Sequence, residues 1–460
     1  MTNNSTENPP RYFGTDGIRG PANIGKMAPD SIIRLAQAAA QYFTKTSKAD
    51  ASRPSVFIGK DTRLSGDMIE ASLIAGFTSV GMNVLLSDPL PTAGVSILTR
   101  DLDADMGVMI TASHNKFQDN GLKFFGPDGR KLSDVAERDI ETLLASETSA
   151  LVKPDAMGCV EHVSDTQSRY IEIAKASFPP DINLSGVKIV IDCANGAAYQ
   201  TAPKIFEGLG AESVVSIGVC PDGKNINAEC GSTHTALLTK TVLETGADVG
   251  IALDGDADRL IMCDETGKVV DGDQLLGLIA TGWRAAGKLS KPGLVVTVMS
   301  NLGLERFVKA QDMQFIRTAV GDRHVAAYMQ AEGYNVGGEQ SGHILMPDLS
   351  PTGDGTMAGL QVLAEIIRAG KPASEVLNVF NPVPQMLKNV KYSGRSPLDS
   401  DRVKAAIKAA EQELGSDGRV LVRASGTEPL IRVMAEGDNE SIVDRVTDDI
   451  LNAIKTAASP

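Results

Sequence analysis

The sequence predicts an α/β protein with three similar mixed α/β domains and a smaller α+β C-terminal domain around one central cleft. Three observations predict this fold class. A strand, helix, strand, helix, strand pattern recurs three times along the chain. Each copy ends in a polar loop, and roughly the last 80 residues break the pattern. A chain of 460 residues is also too long for one hydrophobic core.

The three copies are visible as short β-branched strands separated by stretches of helical periodicity. The first comprises SVFIGKD (55–61), a helix from Asp67, MNVLLSD and DMGVMITASHN (105–115). The second comprises VKIVIDC (187–193), a helix over 202–209, SVVSIGV and DVGIALDGDADR (248–259). The third comprises LVVTVMS (294–300), a helix over 304–310, FIRTAV and YNVGGEQSGH (334–343). Nearly continuous apolar strands of this kind are typical of mainly parallel sheets covered on both faces.

The C-terminal part has a different pattern. It contains a helix over 401–414, a hairpin-like pair GRVLVRASGTEPLIRVMAE and a final amphipathic helix from Glu440. This order predicts an antiparallel sheet with helices. The resulting domains are 1–164, 165–266, 267–379 and 380–460.

The composition limits the classes of partner that the protein is expected to bind. The 44 basic and 58 acidic residues give a net charge of −14 without a basic run, so nucleic acid is not expected as a partner. No apolar stretch approaches the roughly 20 residues of a membrane helix, so no membrane is expected either. Five cysteines without a CxxC pair favour a reducing cytosol. The polar start MTNNSTENPP predicts a disordered tail and not a secretory signal.

The loop ALDGDADRL (252–260) predicts a metal site. Three aspartates alternate directly after an apolar strand, namely Asp254, Asp256 and Asp258. Clustered carboxylates repel one another unless a cation lies among them, and oxygen ligands suit Mg²⁺ or Ca²⁺. A calcium EF-hand with Glu265 at its twelfth position is one alternative, although Arg259 stands where that loop needs glycine. An acidic surface turn is the other.

The loop TASHN (111–115) places Ser113 at a strand end, with His114 beside it. A hydrolase triad is one alternative, but adjacent residues are expected to point apart and no G-x-S-x-G elbow surrounds this serine. A hydroxyl that caps the next element is another. Because Ser113 occupies the position that the metal loop has in the next repeat, we predict that it carries a transferable phosphoryl group beside the metal.

Two further loops predict substrate contacts. The loop GEQSGH (338–343) mixes carboxylate, amide, hydroxyl and imidazole groups, which suits recognition of sugar hydroxyls, with a plain turn as the alternative. The segment RASGTEPLIR (423–432) places small residues between two arginines, which suits a phosphate, with a non-catalytic hairpin as the alternative. Because ligands of open α/β sheets bind beyond the carboxyl ends of strands, the three repeat loops are expected to line one cleft.

Two basic residues outside these loops are candidates from their context. Arg19 in RYFGTDGIRG (11–20) is suited to bind the negative charge of a phosphate or to take part in proton transfer, with a tight turn as the alternative. Lys123 in NGLKFF lies on the strand after the serine loop, with a solvated lysine as the alternative.

Together, TASHN, DGDADR, GEQSGH and RASGTEPLIR resemble the phosphoserine, metal, sugar and phosphate loops of the α-D-phosphohexomutase superfamily, in the same order. The resemblance covers residues 11–437. Within the superfamily, YFGTDGIRG and Gln340 look like the bacterial branch that acts on glucosamine phosphates. Two residues depart from the family pattern: His324 replaces a tyrosine in VGDRHV, and Lys116 replaces a proline after SHN.

The resemblance implies an intramolecular phosphotransferase that reversibly converts D-glucosamine 6-phosphate into α-D-glucosamine 1-phosphate, feeding UDP-N-acetylglucosamine synthesis. It implies one Mg²⁺ per chain, held by the three aspartates and a phosphoserine oxygen of Ser113. The implied catalytic residues are Ser113, His114, Arg19, Lys123, Arg259 and His343. The implied substrate-binding residues are Glu339, Ser341, Arg423, Ser425, Gly426, Thr427 and Arg432.

Three other functions stay open from the sequence. A phosphoglucomutase/phosphomannomutase would use the same machinery on neutral hexose phosphates. A metal-dependent phosphatase would pass the phosphoryl group to water. A catalytically silent sugar-phosphate sensor is the third, and a homodimer is left open as the assembly.

Overall fold

The structure is a computed structural model that describes residues 12–14, 16–46, 53–146, 151–392, 396–424 and 430–458. The tail predicted to be disordered lies outside the described residues. So do Ser425, Gly426 and Thr427 of the predicted phosphate loop.

The first part of the chain forms a six-stranded sheet with helices. Its strands are β1 (Ile18–Pro21), β2 (Ser55–Lys60), β3 (Asn83–Leu86), β4 (Met106–Ile110), β5 (Asp119–Phe125) and β6 (Val160–His162). Its helices are α1 (Pro29–Thr46), α2 (Gly66–Ser79), α3 (Thr92–Asp101) and α4 (Asp134–Ala145), with 3-10 turns at Gly25–Met27 and Pro154–Ala156. The strand order is β1-β5-β4-β2-β3-β6, in which β5 and β1 run antiparallel to their neighbours.

The second sheet has five strands in the described residues. The elements are α5 (Thr166–Ala176), β7 (Lys188–Asp192), α6 (Thr201–Gly208), β8 (Ser213–Ile217), α7 (Ala236–Thr245), β9 (Val249–Leu253), β10 (Leu260–Asp264) and β11 (Val269–Val270). The order is β11-β10-β9-β7-β8. The strands β7, β8 and β9 are parallel, and β10 reverses direction.

The third sheet is smaller. The elements are α8 (Gly272–Ala285), β12 (Gly293–Thr297), α9 (Leu302–Ala310), β13 (Gln314–Thr318), α10 (Asp322–Glu332), β14 (Gly337–Gly338), β15 (Ile344–Leu345), α11 (Gly355–Ala369) and α12 (Ala373–Val376). The order is β13-β12-β14-β15. The third strand of this repeat, β14, is only two residues long, shorter than the pattern predicts.

The C-terminal part forms a separate antiparallel sheet, as predicted. The elements are β16 (Gln385–Lys391), α13 (Asp401–Leu414), β17 (Gly418–Ala424), β18 (Leu430–Gly437) and α14 (Glu440–Ala458), with 3-10 turns at Pro397–Asp399 and Gly415–Asp417. The order is β16-β18-β17. This sheet packs on α13 and α14 through a core of its own, which includes Val433 and Ile450.

The three repeats share a return strand that the expectation of mainly parallel sheets did not include. After the polar loop of each repeat, the chain pairs antiparallel with the strand it has just left, as β5, β10 and β15. Each loop therefore joins two hydrogen-bonded strands, and both of its ends are fixed by the sheet.

One apolar core joins the first three sheets. The same cluster of buried side chains contains Phe57 from the first sheet, Ile251 from the second and Val296 from the third. The helix α11 follows the third sheet in sequence yet packs against β9 and β10 of the second. Such a shared core fixes the three sheets, and hence their loops, relative to one another.

Candidate active site

Ser113 lies in the loop after β4, and its hydroxyl points at the metal loop of the second sheet. The Ser113 Oγ donates a hydrogen bond of 2.7 Å to Oδ2 of Asp254, 141 residues further along the chain. The side chain is buried. Its backbone has a φ of 50°, in the left-handed region that non-glycine residues rarely adopt. The first two predicted loops are therefore in direct contact.

The aspartates of the metal loop form a compact buried cluster directly after β9. Each of Asp254, Asp256 and Asp258 offers a carboxylate oxygen, and these oxygens lie within 4.8 Å of one another. Burial, with the charges of Asp258 and Asp256, raises the pKa of Asp254 to about 8. The cluster therefore requires positive charge nearby.

Lys123 supplies part of that charge from β5. Its Nζ donates to Oδ2 of Asp256 at 2.8 Å and to Oδ2 of Asp258 at 2.7 Å. Burial opposes the charged form, but the carboxylates of Asp16, Asp256 and Asp258 raise the pKa of Lys123 well above its usual value. The side chain is 2% exposed, which excludes the alternative of a solvated lysine.

Arg259 and His343 bring a further cation and an imidazole to the cluster. A β-bridge joins the two residues. His343 Nδ1 lies 3.5 Å from Oδ1 of Asp258, and its Nε2 lies 3.5 Å from Oδ2 of Asp322. Burial opposes protonation, but these carboxylates raise the pKa of His343. The backbone N–H of Arg259 donates to Oδ1 of Asp254 at 3.2 Å within the metal loop. The bridge to Arg259 and the contact with Asp258 show that His343, in the third loop, touches the metal loop as well.

The orientation of His114 differs from the expectation that it points away from Ser113. Its Nδ1 lies 3.2 Å from Ser113 Oγ in a loop where Ser113 has a positive φ. Burial and the charges of Arg259 and Arg19 lower the pKa of His114 to about 4. His114 is therefore a neutral neighbour of the serine hydroxyl.

Arg19 reaches the site through Asp16. The Arg19 guanidinium on β1 donates to Asp16, which also pairs with Lys131 and lies 3.4 Å from Lys123 Nζ. Burial opposes ionisation, but these cations hold the pKa of Asp16 well below its usual range. The Nε of Arg19 is buried and has no hydrogen-bond partner within the described ranges. Arg19 therefore keeps a donor available for an anion.

The predicted sugar loop lies beside the metal loop. Glu339 Oε1 accepts a hydrogen bond of 3.1 Å from the backbone N–H of Gly321. The charge of Glu339 helps to raise the pKa of Arg259 against the effect of burial. Ser341 is exposed, and its Oγ lies 3.4 Å from Glu339 Oε2. The loop thus presents an exposed hydroxyl, which donates to Glu339 Oε2, to a polar ligand.

The predicted phosphate segment contains two opposed arginines. Arg423 on β17 and Arg432 on β18 are direct cross-strand partners. Burial and the charge of Arg432 lower the pKa of Arg423. Across the residues that the structure describes, no carboxylate pairs with either arginine, and no hydrogen bond or ion pair joins them to the other three loops. The buried Nε of Arg432 also has no partner there. Like charges directly opposite each other favour an anion between them.

The donor set of the metal loop fits a small hard cation. The Oδ1 atoms of Asp256 and Asp258 are buried and accept no hydrogen bond from any described residue. Oxygen-only ligands of this kind suit Mg²⁺. The EF-hand alternative is excluded, because the loop joins two strands and Glu265 instead accepts a hydrogen bond of 3.0 Å from the backbone N–H of Ser374.

Several residues of the site do not belong to the predicted motifs. Thr92 Oγ1 donates to Oδ2 of Asp256 at 2.6 Å, and Asp322 accepts a hydrogen bond from Lys131. Other additions hold the serine loop, namely Asp61, Arg63 and Asn227. Because KDTR (60–63) follows the parallel strand β2, the strand-end rule used for the repeat loops could have found it.

Four families match consecutive parts of the chain. They are described as phosphoglucomutase/phosphomannomutase alpha/beta/alpha domains I, II and III and the C-terminal domain. Their matches cover residues 10–151, 168–267, 271–383 and 387–453.

Two similar relatives carry the name phosphoglucosamine mutase. The one from Phenylobacterium zucineum (strain HLK1) is 57% identical over 449 residues, which cover 97% of this chain and 99% of the relative. The one from Bradyrhizobium sp. (strain ORS 278) is 54% identical over 449 residues with the same coverage. The chain belongs to the phosphoglucosamine mutases. Phosphoglucosamine mutases are intramolecular phosphotransferases, so the predicted enzyme class is confirmed. The names of these relatives do not favour the alternative of a phosphoglucomutase/phosphomannomutase.

Solved structures share the fold of this phosphoglucosamine mutase. A phosphoglucomutase/phosphomannomutase family protein from Burkholderia thailandensis superposes with a TM-score of 0.81 at 22% identity, covering 96% of this chain and 97% of that one. The Aspergillus fumigatus N-acetylphosphoglucosamine mutase, solved with GlcNAc-6P and magnesium, has a TM-score of 0.66 at 19% identity, covering 97% and 96%. These likenesses confirm the predicted fold class. Within the described ranges, every helix is too short or too polar to cross a membrane.

Proposed function

We propose that this mutase reversibly converts D-glucosamine 6-phosphate into α-D-glucosamine 1-phosphate through a phosphoryl group carried by Ser113. The observation that carries the proposal is the hydrogen bond of 2.7 Å from Ser113 Oγ to Asp254, which puts the hydroxyl beside three buried carboxylates. The amino sugar is inferred from the names of relatives that are 54–57% identical over nearly the whole chain.

The reaction consists of two phosphoryl transfers. In the first, the bond from phosphorus to Ser113 Oγ breaks while a bond from phosphorus to sugar O1 forms; O1 loses its proton and Ser113 Oγ gains one. The glucosamine 1,6-bisphosphate then reorients in the cleft. In the second, the bond from phosphorus to O6 breaks while a bond from phosphorus to Ser113 Oγ forms; Ser113 Oγ loses its proton and O6 gains one. The protein ends in its starting state.

Charge around Ser113 supports these transfers. Asp254, Asp256, Asp258 and a phosphoserine oxygen would hold one Mg²⁺, which supplies positive charge next to the phosphoryl group when bound. Lys123 and Arg19 are assigned to acid–base work, and the carboxylates that raise the pKa of Lys123 keep its ammonium group charged beside the phosphoryl group.

Positive side chains and polar loops would hold the substrate. Arg259 and His343 steady the reacting phosphoryl group, and His114 lies against the serine hydroxyl. Glu339 and Ser341 bind sugar hydroxyls. The phosphate that does not react binds between Arg423 and Arg432. Backbone N–H groups and hydroxyls of the segment between the two arginines bind it as well, from Ser425, Gly426 and Thr427.

Three further assignments belong to the same proposal. The domains are 1–164, 165–266, 267–379 and 380–460, each with one loop of the cleft. A cytoplasmic location agrees with the five free cysteines Cys159, Cys193, Cys220, Cys230 and Cys263. The assembly is a monomer or a homodimer, which the mass in solution distinguishes.

The test is conversion of glucosamine 6-phosphate by wild-type protein and by Ser113→Ala. We expect the variant to lose at least about 10³-fold in kcat, since the carrier oxygen is gone. The matched control is Ser72→Ala, a serine of the same sheet unit whose hydroxyl only donates to a carbonyl of its own helix. Wild-type turnover by Ser113→Ala would refute the proposal.

Two comparisons separate the alternatives. Glucosamine 6-phosphate should be converted faster than glucose 6-phosphate or mannose 6-phosphate, and equal or faster turnover of the neutral sugars would overturn the choice of substrate. Isomerisation should exceed release of inorganic phosphate, whereas the opposite ratio would indicate a phosphatase.

A further inference from the structure

Arg63, in the turn after β2, forms an ion pair that is completely enclosed. The side chains of Arg63 and Asp61 both have 0% exposure. Arg63 Nε donates to Oδ2 of Asp61 at 2.8 Å, and the backbone N–H of Arg63 donates to Oδ1 at 3.0 Å. A guanidinium carries five N–H donors, and enclosing any of them without an acceptor is unfavourable. The other four donors therefore need partners.

All four remaining donors bind backbone carbonyls of the serine loop. The two donors on one terminal nitrogen reach Lys116 O at 2.6 Å and Asp119 O at 3.1 Å. The two on the other reach Ser113 O at 2.8 Å and Asn115 O at 2.8 Å. Because every acceptor is main chain, Arg63 determines the path of residues 113–119.

The same ion pair controls both peptide groups of Ser113. On the carbonyl side, Ser113 O is held by Arg63. On the amide side, Ser113 N–H donates to Thr111 Oγ1 at 2.9 Å, and Thr111 Oγ1 donates to Oδ2 of Asp61 at 2.7 Å. The left-handed φ of 50° at Ser113 is unfavourable for a residue with a Cβ and requires such restraint.

A second donor reaches the loop from the other side. Asn227, in the second sheet unit, donates from Nδ2 to Ser113 O at 2.8 Å and to Asn115 O at 3.0 Å. Ser113 O thus accepts one hydrogen bond from its own unit and one from the unit that carries the metal loop. This arrangement couples the position of the serine to the position of the aspartates.

We infer that Arg63, held by Asp61, is a positioning residue for phosphoryl transfer. It keeps Ser113 in the left-handed conformation that aims Oγ at Asp254, although its own side chain contacts none of the three metal-loop aspartates. The inference rests on the proposed function of Ser113. A role confined to stability would affect folding and leave the kinetics of the folded enzyme unchanged.

Kinetics distinguishes the two roles. The residues assigned to bind the sugar and the distal phosphate, such as Glu339 and Arg423, lie on parts of the chain to which Arg63 donates no hydrogen bond. A misplaced Ser113 should therefore lower kcat and leave KM for glucosamine 6-phosphate nearly unchanged.

The test variant is Arg63→Lys, because lysine keeps the charge but has only three donors and no planar fork. We expect kcat to fall about 10²-fold, as for other small misplacements of a reacting group, with KM within about 2-fold of wild type. The ³¹P resonance of phosphorylated Ser113 should also shift. The matched control is Arg53→Lys, an exposed arginine of the same unit that donates to the carbonyls of Met157 and Asp155. It should keep wild-type kcat and resonance.

A second variant covers the case in which Arg63→Lys does not fold. Thr111→Val keeps the shape of the side chain, retains the Arg63 ion pair and cuts the link from Asp61 to Ser113 N–H. We expect about a 10-fold loss in kcat at unchanged KM.

The outcomes are separable from those of the proposed function. If Ser113→Ala is inactive while folded Arg63→Lys, or folded Thr111→Val in its place, has wild-type kcat, the positioning role is wrong and the function stands. A rise in KM at unchanged kcat would also overturn the positioning role. If Ser113→Ala is active, the proposed function itself is wrong.

Discussion

Charged side chains are arranged in opposite ways in two regions of this mutase. In the reaction region around Ser113, cations alternate with carboxylates, since Lys123 contacts Asp256 and Asp258 and His343 lies near Asp258. In the phosphate region, Arg423 and Arg432 face each other, and the described part of the chain supplies no carboxylate to either.

The difference indicates which ion each region is suited to bind. The reaction region suits one small cation, because Oδ1 of Asp256 and Oδ1 of Asp258 are buried and accept no hydrogen bond from the described residues. The predicted phosphate segment suits an anion, because Arg423 and Arg432 lie opposite each other and burial and like charge lower the pKa of Arg423. Substitutions in the first should therefore impair metal binding and kcat, and substitutions in the second should impair KM.

The largest effect is expected from Asp256→Asn. The substitution removes a carboxylate that both Lys123 and Thr92 contact and weakens the expected metal site. We predict a loss of about 10³-fold in kcat and weaker Mg²⁺ binding by calorimetry. Chelation of divalent ions should abolish wild-type turnover, and added Mg²⁺ should restore it.

The control for this experiment is Asp181→Asn, an exposed aspartate whose nearest cation, on Arg368, is 3.8 Å away. It should match wild type in both measurements. If Asp256→Asn binds Mg²⁺ with wild-type affinity, the cation does not bind in the reaction region.

A smaller effect on a different constant is expected from Arg423→Gln. Loss of one charged donor to a phosphate should raise KM for glucosamine 6-phosphate by about 10- to 100-fold, with a smaller change in kcat. Steady-state kinetics measures both constants. Arg445→Gln is the control, because Arg445 is an exposed arginine of the same C-terminal unit that pairs with Glu413. A loss confined to kcat would place Arg423 in the reaction region.

The smallest effect concerns stability. Like charges directly opposite each other on neighbouring strands destabilise a sheet, so Arg432→Gln should raise the free energy of unfolding by up to about 1 kcal/mol without ligand. Inorganic phosphate should raise the melting temperature of wild type more than that of the variant. If phosphate stabilises both proteins equally, the anion binds somewhere else.

Sequence patterns predicted the parts of the fold that depend on local periodicity. The strand at 55–61, the helix at 401–414 and the antiparallel C-terminal sheet agree with β2, α13 and the order β16-β18-β17. The antiparallel direction of the return strands β5, β10 and β15 was not predicted, because it depends on pairing with a neighbour and not on their own apolar pattern. The packing of α11 on the second sheet likewise depends on contacts between residues that are far apart in the sequence.

The candidate site shows the same limit. The equivalent positions of the loops in the repeats predicted that Ser113 lies beside the aspartates, but not that its hydroxyl donates directly to Asp254 across 141 residues. The short distance between His114 Nδ1 and Ser113 Oγ likewise belongs to the folded loop, in which Ser113 has a φ of 50°. Arg63 escaped notice because its acceptors are backbone carbonyls, which leave no trace in the types of residue around it.

The most direct measurement follows the phosphoryl group itself in a single turnover. Protein with a radiolabelled phosphoryl group on Ser113 is mixed with unlabelled glucosamine 6-phosphate, and the label is quantified after rapid quenching. The account predicts that label leaves Ser113 and appears in glucosamine 1,6-bisphosphate at least as fast as kcat. Label that stays on the protein, or leaves only as inorganic phosphate while the sugar phosphate isomerises, would contradict it.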